Sequence, residues 1–453
     1  MASEAPTVVV VGAGMAGLVA ALTAQESGAR VTLLEAGAAP GGSAALSAGF
    51  ITTFGSYDDY RQRIPLGEQA QGRLVVEHYD GAIRWLGAQG IAFQPDTSSQ
   101  AEGEFGFTRR HRMDPPAALA HLARVFVARG GALHTGTRAL HLTANDQARV
   151  TGVLAHGPSG REAHAAAAVV LASGGFQGNP ELTTRYVGRW ADRMLVRSNP
   201  HSIGDGLLMG LALGAGTSRA LHSFYGHLMP APPADLPPER FFPPTAYYSR
   251  ATVLVNLRGE RFTDESLGDH LNAQAAARQD EAAVFALFDQ DVHDQHIVGR
   301  PSGHPRGLNR LEAAREAGAW IVTAPTLDEL VALVAARGVR PAALARTLDA
   351  FNRAMAEGTD APLPVPRAAL RAPLRRPPFH AIALAPAITL TYGGLRVNTH
   401  CQVLDRAGAP IGGLYAAGGD AGGTYFEQYG GGLAMALTLG RVAGAEAARA
   451  ARG

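Results

Sequence analysis

Hydrophobic positions near the start of the chain run without a polar break through Val8, Val9, Val10 and Val11. A β-branched run bounded by glycine predicts a buried strand. A helical run of about four turns follows the glycines, and residues 31–34 predict a second apolar strand that ends at Glu35. Further on, Val75, Tyr79, Ile83 and Leu86 recur at spacings of three and four, which predicts one long helix over 58–90. A short strand over 91–93 and a second amphipathic helix over 114–129 follow. Residues 132–142 and 150–156 alternate like a hairpin, and 167–171 form a fully apolar strand. A helix is expected over 207–214. Between 221 and 248 the chain is rich in Pro, His, Phe and Tyr, which breaks the α/β rhythm and marks a crossing into a second domain. Strands over 252–256 and 284–288 and helices within 327–353 belong there. The Pro- and Arg-rich stretch 357–378 leads back to strands over 381–390 and 395–397 and to 412–420, a strand followed by an acid, and Gly430, Gly431 and Gly432 open a last helix running to 448.

The first of these units carries chemistry. Gly12, Gly14 and Gly17 stand in the G-x-G-x-x-G spacing between an apolar strand and a helix, with Glu35 closing the next strand. This is the dinucleotide-binding fingerprint: Gly12 for the tight turn, Gly14 for backbone approach to a pyrophosphate, Gly17 for close packing of helix on sheet, and Glu35 for a ribose 2′-hydroxyl. The small-residue loop that follows, with Gly41, Gly42, Ser43, Ala44, Ala45, Leu46, Ser47, Ala48 and Gly49, lets a flat ligand lie against backbone; a plain turn is the other reading. Ser173, Gly174 and Gly175 end the strand 167–171 with small residues. Asp205 is either a helix cap or a cofactor contact. The last helix points a glycine-rich, positive N-terminus at something flat or anionic.

Composition narrows the class. With 453 residues the chain is too long for one core. At 46% hydrophobic and 17% charged it reads as an ordinary globular enzyme. A formal net charge of +1 gives no electrostatic reason to expect nucleic acid. The single cysteine, Cys401, excludes an internal disulfide and a Cys-rich metal site, and suits a reducing, cytoplasmic compartment. Neither a signal peptide nor a membrane-spanning apolar run is evident.

Gly12, Gly174–Gly175, the segment Thr391, Tyr392, Gly393 and Gly394, and Gly413, Leu414 and Tyr415, in this order, resemble the FAD flavoproteins of the fumarate reductase and succinate dehydrogenase superfamily. The 3-ketosteroid dehydrogenases and tricarballylate dehydrogenase belong to it. The resemblance spans nearly the whole chain and implies FAD. It implies a Rossmann-like FAD-binding domain of the glutathione reductase type over 1–219 and 376–453, with an inserted α+β substrate cap over 220–375. The cofactor positions it implies are Gly12, Gly14, Gly17, Glu35, Gly42, Ser43, Ser47, Ala48, Gly49, Ala139, Ser173, Gly174, Asp205, Gly419, Asp420, Gly431, Gly432 and Leu433. Backbone N–H groups at the last three would stabilise reduced flavin. Respiratory relatives attach FAD to a histidine where this chain has Ala44, so FAD is expected to be noncovalent.

Departures from the pattern bear on the substrate. The proton-delivering arginine of fumarate reductases falls on Asp269, followed by His270, and its relay partners fall on Thr245 and Tyr248. The substrate-clamping histidine falls near Thr389 and Leu390, and the clamping arginine near Gln428. Without these cations fumarate is a poor substrate. Tyr392, Tyr425 and Tyr429, with Tyr247 and Tyr248, instead resemble the ketosteroid dehydrogenases, in which a tyrosine before the glycine loop polarises a ketone. Tyr429 takes that position and either polarises a carbonyl or packs under the flavin.

The expected activity is hydride transfer to or from flavin N5 that dehydrogenates or reduces a C–C bond α,β to a carbonyl or carboxylate. The acid–base candidates are Tyr429, His270, Asp269 and Tyr392. His222, Tyr225 and His227 lack a fourth metal ligand and read as polar cavity lining, His380 as a possible hinge, and Arg261 with Glu265 as a structural ion pair. The implied partners are a small carbonyl or carboxylate substrate and an electron acceptor. A flavin oxidase of amines or hydroxy acids, and a non-catalytic flavin-binding protein, are the alternatives.

Overall fold

A computed structural model describes residues 7–94, 106–231, 236–237, 240–298, 308–361 and 363–452. Parts of the Pro-rich crossing (232–235 and 238–239) and residue 362 of the return stretch lie outside the described residues. The valine run forms Thr7–Val11 and pairs in parallel with Arg30–Leu34 on one side and Ala168–Leu171 on the other. Ala132–His134 and Pro410–Ala416 extend this sheet in parallel, and Gln402–Leu404 closes one edge antiparallel. The two central strands, Thr7–Val11 and Ala168–Leu171, are buried on both faces and need no polar alternation, which is why they read as unbroken apolar runs.

The first helix, Met15–Glu26, and the last, Gly432–Ala451, pack on this sheet and on each other. Their contact is backbone to backbone: a Cβ on Gly440 would lie 2.6 Å from the Ala16 carbonyl oxygen, and one on Gly444 would lie 2.2 Å from that of Ala20.

A second sheet is built on the long strand Phe379–Thr391, which pairs with Leu195–Val196, Phe224–Pro230, Val284–Phe288 and Ile321–Ala324; Val253–Asn256 adds outside Val284–Phe288. Its side chains divide with the period of two. Val253, Val255, Phe285 and Leu287 pack under the helices Leu327–Ala335 and Pro341–Glu357, with Leu330, Leu344 and Phe351. Leu254, Ala286 and Phe288 join the main core. Arg261 and Glu265 are the expected ion pair, and Arg367 joins it: the fully buried Glu265 accepts from Arg261 and Arg367 and from the Leu254 N–H at 3.0 Å. Arg367 also donates to the carbonyls of Arg250 and Thr252, fastening the return stretch to the sheet.

Several sequence expectations are corrected. The helix over 58–90 is two, Tyr57–Arg63 and Gln69–Ala88. Pro65 pushes Ile64 out of helical geometry, and Gly67 and Gly72 leave room for the buried Tyr60 ring. Residues 91–93 form no strand; pairing there is a bridge from Gln94 to Arg112. The run 132–142 splits between the main sheet and a separate strand, Arg138–Ala144, which pairs with Val150–Gly157 and through it Gly160–Ala165. Residues 395–397 make only isolated bridges. Gly204, left-handed at φ 85°, caps the helix Asp205–Ala212, so Asp205 is its first residue and not its cap.

Candidate active site

The glycines of the fingerprint divide by what surrounds them. Gly12 adopts φ 97°, and a Cβ there would lie 2.4 Å from the Ala172 carbonyl oxygen. One on Gly17 would strike the Gly12 oxygen at 1.7 Å. A Cβ on Gly14 would meet only the Gly41 oxygen, at 3.9 Å, so its backbone borders open space, and the helix it starts has no side-chain cap. The buried Glu35 accepts from Ala13 N–H and Gly37 N–H, each at 2.7 Å, and its remaining lone pairs are available to a hydroxyl.

In the loop that follows, Gly42 starts one helical turn, Gly42–Ala45. The Ser43 hydroxyl lies 2.8 Å from that of Ser198 and accepts from the Asn199 N–H. Ser47 donates to the Ala44 carbonyl, Ala48 is exposed, and Gly49, at φ 81°, lies against the Met113 carbonyl. Ala139 is buried in Arg138–Ala144 beside Arg138, whose guanidinium pairs with Asp205.

Two backbone segments cross under the end of the main sheet: a Cβ on Gly419 would lie 2.6 Å from the Gly175 nitrogen. At this crossing one oxygen of the buried Asp420 accepts from Ser173 N–H (2.5 Å) and Oγ–H (2.9 Å), while Oδ1 has no partner. Burial pushes this carboxyl up to about 7 against the pull of the Ser173 hydrogen bonds, and the nearby Asp205 charge adds to the rise. Burial also raises Asp205, opposed by Arg138. Gly14's open backbone, the uncapped helix start and the orphaned Asp420 oxygen form a cradle of amides and one acceptor, which suits a pyrophosphate joined to polyhydroxyl chains.

The last helix begins at Gly432 with Gly431 as its cap; Gly431 at φ 105° lies so close to the Thr52 carbonyl that no Cβ fits. The Gly432 N–H donates to the Tyr429 phenol oxygen at 2.7 Å, and Tyr425 donates to the Gly431 carbonyl at 2.9 Å. Leu433 is buried next to them.

Tyr429 meets the second sheet through Tyr225, whose ring stacks on it at 3.9 Å between centroids and 14° between planes. His227, two residues along the same strand, lies edge-on to Tyr225 and Tyr247 and pairs through Nδ1 with Asp269. Asp269 and His270 open the helix Asp269–Ala277, but they point to different partners: His270 Nε2 lies 2.9 Å from Gln428 Oε1. Gln274 donates to the Glu427 carbonyl, so this helix is pinned to the loop carrying Tyr429. Burial raises the phenols of Tyr225, Tyr392, Tyr425 and Tyr429, so all are protonated donors at neutral pH. Tyr392 is buried with its hydroxyl unpartnered, its ring 6.0 Å from that of Tyr425.

Thr245 and Tyr248 form no charged relay: the Thr245 hydroxyl donates to the Phe241 carbonyl, and the Tyr248 hydroxyl is buried without a partner. Cations reach this tyrosine cluster from elsewhere. Arg197 reaches Tyr247 and Thr389, and the fully buried Arg310 donates to the carbonyls of Phe242, Pro243 and Thr245 under the Tyr247 ring. Neither arginine stood out in the sequence, where each is one among many. His227 was visible only as cavity lining. Among the described residues no group of three or more His, Cys, Asp or Glu side chains is arranged to hold a metal ion, and no helix is long and apolar enough to cross a membrane.

A doubly flanked parallel sheet with this cradle defines a dinucleotide-binding flavoprotein. Residues 7–433 match the FAD binding domain family, and the chain belongs to it; its cofactor is FAD. Among curated relatives, a probable fumarate reductase of Shewanella frigidimarina is 28% identical over 471 aligned positions, covering 99% of this chain and 75% of the relative. A vinyl phenol reductase of Lactiplantibacillus plantarum is 28% identical, covering 93% and 91%. The structure of 3-ketosteroid Δ1-dehydrogenase from Sterolibacterium denitrificans shares the fold, with a TM-score of 0.76 at 19% identity over 98% of this chain and 99% of that one.

Proposed function

We propose that the protein is an FAD-dependent oxidoreductase of the CH–CH class that reduces, or forms, a C–C double bond conjugated to a carbonyl or carboxylate. The observation that carries this reading is the stacked Tyr225–Tyr429 pair, which joins the start of the last helix to the Asp269–His227 pair. The curated relative named as a probable fumarate reductase, aligned along nearly the whole chain, supports it, and the vinyl phenol reductase supports reduction of a conjugated C–C double bond. Bound FAD supplies the hydride acceptor or donor.

The chain's residues do the rest. Gly14 and the start of the first helix hold the pyrophosphate, Glu35 a ribose hydroxyl, and Asp420 Oδ1 a hydroxyl of the chain between phosphate and ring. The smaller loop and crossing residues Gly42, Ser43, Ser47, Ala48, Gly49, Ser173, Gly174 and Gly419 line the cofactor. Ala44, which has no side chain able to form the covalent link, supports noncovalent FAD. Tyr429 accepts from the Gly432 amide, which polarises its own O–H toward a developing enolate oxygen. Asp269 holds His227 by Nδ1, so that Nε2 gives or takes the substrate proton. His270, paired with Gln428, then positions the loop carrying Tyr429.

The division into an FAD domain (1–219 and 376–453) and a cap (220–375) belongs to the same reading. Leu195–Val196 and Phe379–Thr391 lie in the second sheet and form the joint. A cytoplasmic setting is supported by the single, buried Cys401.

The test is anaerobic mixing of dithionite-reduced protein with a panel of conjugated enones and enoates, followed by flavin absorbance. Reoxidation by a conjugated acceptor is expected. Reoxidation by none of them, together with rapid reduction by an amine or hydroxy acid and fast reaction with oxygen, would replace this reading by that of an oxidase.

A further inference from the structure

Tyr429 also lines a crevice of about 100 Å³, shared with Phe54, Arg63 and Gln428. That space holds several water molecules, or one small acid. Its apolar part is fixed by packing: Phe54, 1% exposed, meets Tyr60 and Phe107 edge-on, and Phe107 meets Tyr429 in the same way. Its polar part consists of donors. Gln428 turns Oε1 to His270 Nε2, 2.9 Å away, which leaves its amide N–H groups for another acceptor.

Arg63 supplies the charge. It ends the helix Tyr57–Arg63, where a cation suits the negative end of the helix dipole. Arg61, in the same turn, pairs with Asp58 at 3.2 Å, but among the described residues no carboxylate or carbonyl accepts from the Arg63 guanidinium. The group lies instead against the backbone of Gly106, in the space a side chain there would fill: a Cβ would be 2.4 Å from Cζ and 2.5 Å from Nε. A helix end accounts for an arginine at this position. It does not account for a guanidinium laid beside Tyr429 with its donors unused.

We infer that Arg63 anchors the carboxylate of the substrate, and that the crevice selects small conjugated acids over their neutral amides. The inference rests on the reading of Tyr429 given above. None of the four lining side chains is a carboxylate, so nothing in the crevice competes with an incoming anion for Arg63. The planar guanidinium matches both oxygens of a carboxylate, and the Gln428 amide adds further N–H groups. In so small a space a ligand that touches Tyr429 also lies next to Arg63. The two side chains then divide the work: Arg63 holds the charge that the acid brings, and Tyr429 meets the charge that develops during hydride transfer. Arg63 is exposed, so water and salt screen it, and its effect falls on binding.

The probes are crotonate and its neutral isostere crotonamide, bound to oxidised holoenzyme at low and at high salt and followed by the shift of the flavin bands. At low salt native protein is expected to bind crotonate about threefold to thirtyfold more tightly than crotonamide, and high salt should erase most of the difference. Arg63→Gln should remove the preference by weakening crotonate, with crotonamide unchanged within about twofold, and Arg63→Lys should keep part of it. Both variants should retain FAD and the native unfolding midpoint, because the side chain is exposed and no described group depends on it. In reoxidation of the reduced flavin by a conjugated acid, Arg63→Gln should raise the half-saturating concentration and leave the limiting rate within about threefold, the reverse of Tyr429→Phe. Equal weakening of both probes, unchanged crotonate affinity in Arg63→Gln, or a native protein without preference would each overturn the anchor. Reoxidation by neutral enones with no preference for acids overturns the anchor alone; reoxidation by no conjugated acceptor overturns the broader reading.

Discussion

Asp420 offers a test in which cofactor affinity and protein stability move in opposite directions. Its carboxyl is 1% exposed, Ser173 occupies one oxygen, and the other has no partner. The group is pushed up to about 7. Because the pKa is raised in the folded state, the stabilisation from the bound proton is full below the ordinary carboxylate value and is lost as pH rises through about 7. A rise of roughly three units at about 1.4 kcal/mol each sets an upper bound of about 4 kcal/mol. Asp420→Asn keeps an acceptor for Ser173 and never ionises, so FAD-stripped variant and native protein should be closest in stability near pH 4. The variant should then gain progressively, by up to about 4 kcal/mol, until the difference levels off above pH 7. Asp205 is retained in both proteins, so its own titration largely cancels in the comparison. Urea unfolding of the stripped proteins from pH 4 to pH 8 measures the difference. FAD should bind the variant about tenfold to a hundredfold less tightly, because the charged acceptor proposed for a cofactor hydroxyl is gone. Parallel stability profiles with unchanged FAD affinity would refute both the electrostatic argument and the assignment of Oδ1 to the cofactor.

Three further outcomes are expected. Tyr429→Phe removes the oxygen that accepts from Gly432 and the donor proposed for the enolate; the half-reaction in stopped flow should slow by about 10²- to 10³-fold with FAD still bound. Asp269→Asn leaves His227 without its anion, and proton transfer should slow by about 10²- to 10⁴-fold; a solvent isotope effect and the pH–rate profile should both change, and a rate equal to native across pH would remove the pair from the chemistry. Glu35→Ala loses the acceptor of two backbone N–H groups and of the ribose, so FAD affinity should fall about thirtyfold to a hundredfold, read by equilibrium dialysis, with unchanged affinity assigning the ribose to another residue.

The parts legible in the sequence were those in which a local rule and the tertiary structure agree. The valine strand and the approach of Gly17 to Gly12 lie within one βαβ unit, so spacing alone exposes them, whereas the contact of Gly12 with Ala172 comes from a distant strand. The break after Arg63 was also written in the sequence, as Pro65 and Gly67, but the spacing of Val75, Tyr79, Ile83 and Leu86 drew the helix through it. Asp269 shows where local reading ends. His270 follows it directly, yet consecutive helical side chains diverge by about 100°, and the imidazole paired with Asp269 comes from His227, 42 residues away. Arg197 carried no signal at all, because its place beside Tyr247 depends on which strand of a second sheet it ends beside.

The glycine contact between the first and last helices bears on how the protein is made. Ala16 and Ala20 are synthesised early, and Gly440 and Gly444, which close on them, come more than four hundred residues later. During translation the fingerprint stands without the helix that completes its surroundings, and its apolar surface awaits a partner of very high sequence separation. Cofactor capture is therefore tied to the end of synthesis: a nascent chain halted before Gly432 should emerge without flavin, and loading should begin only when the final helix has docked.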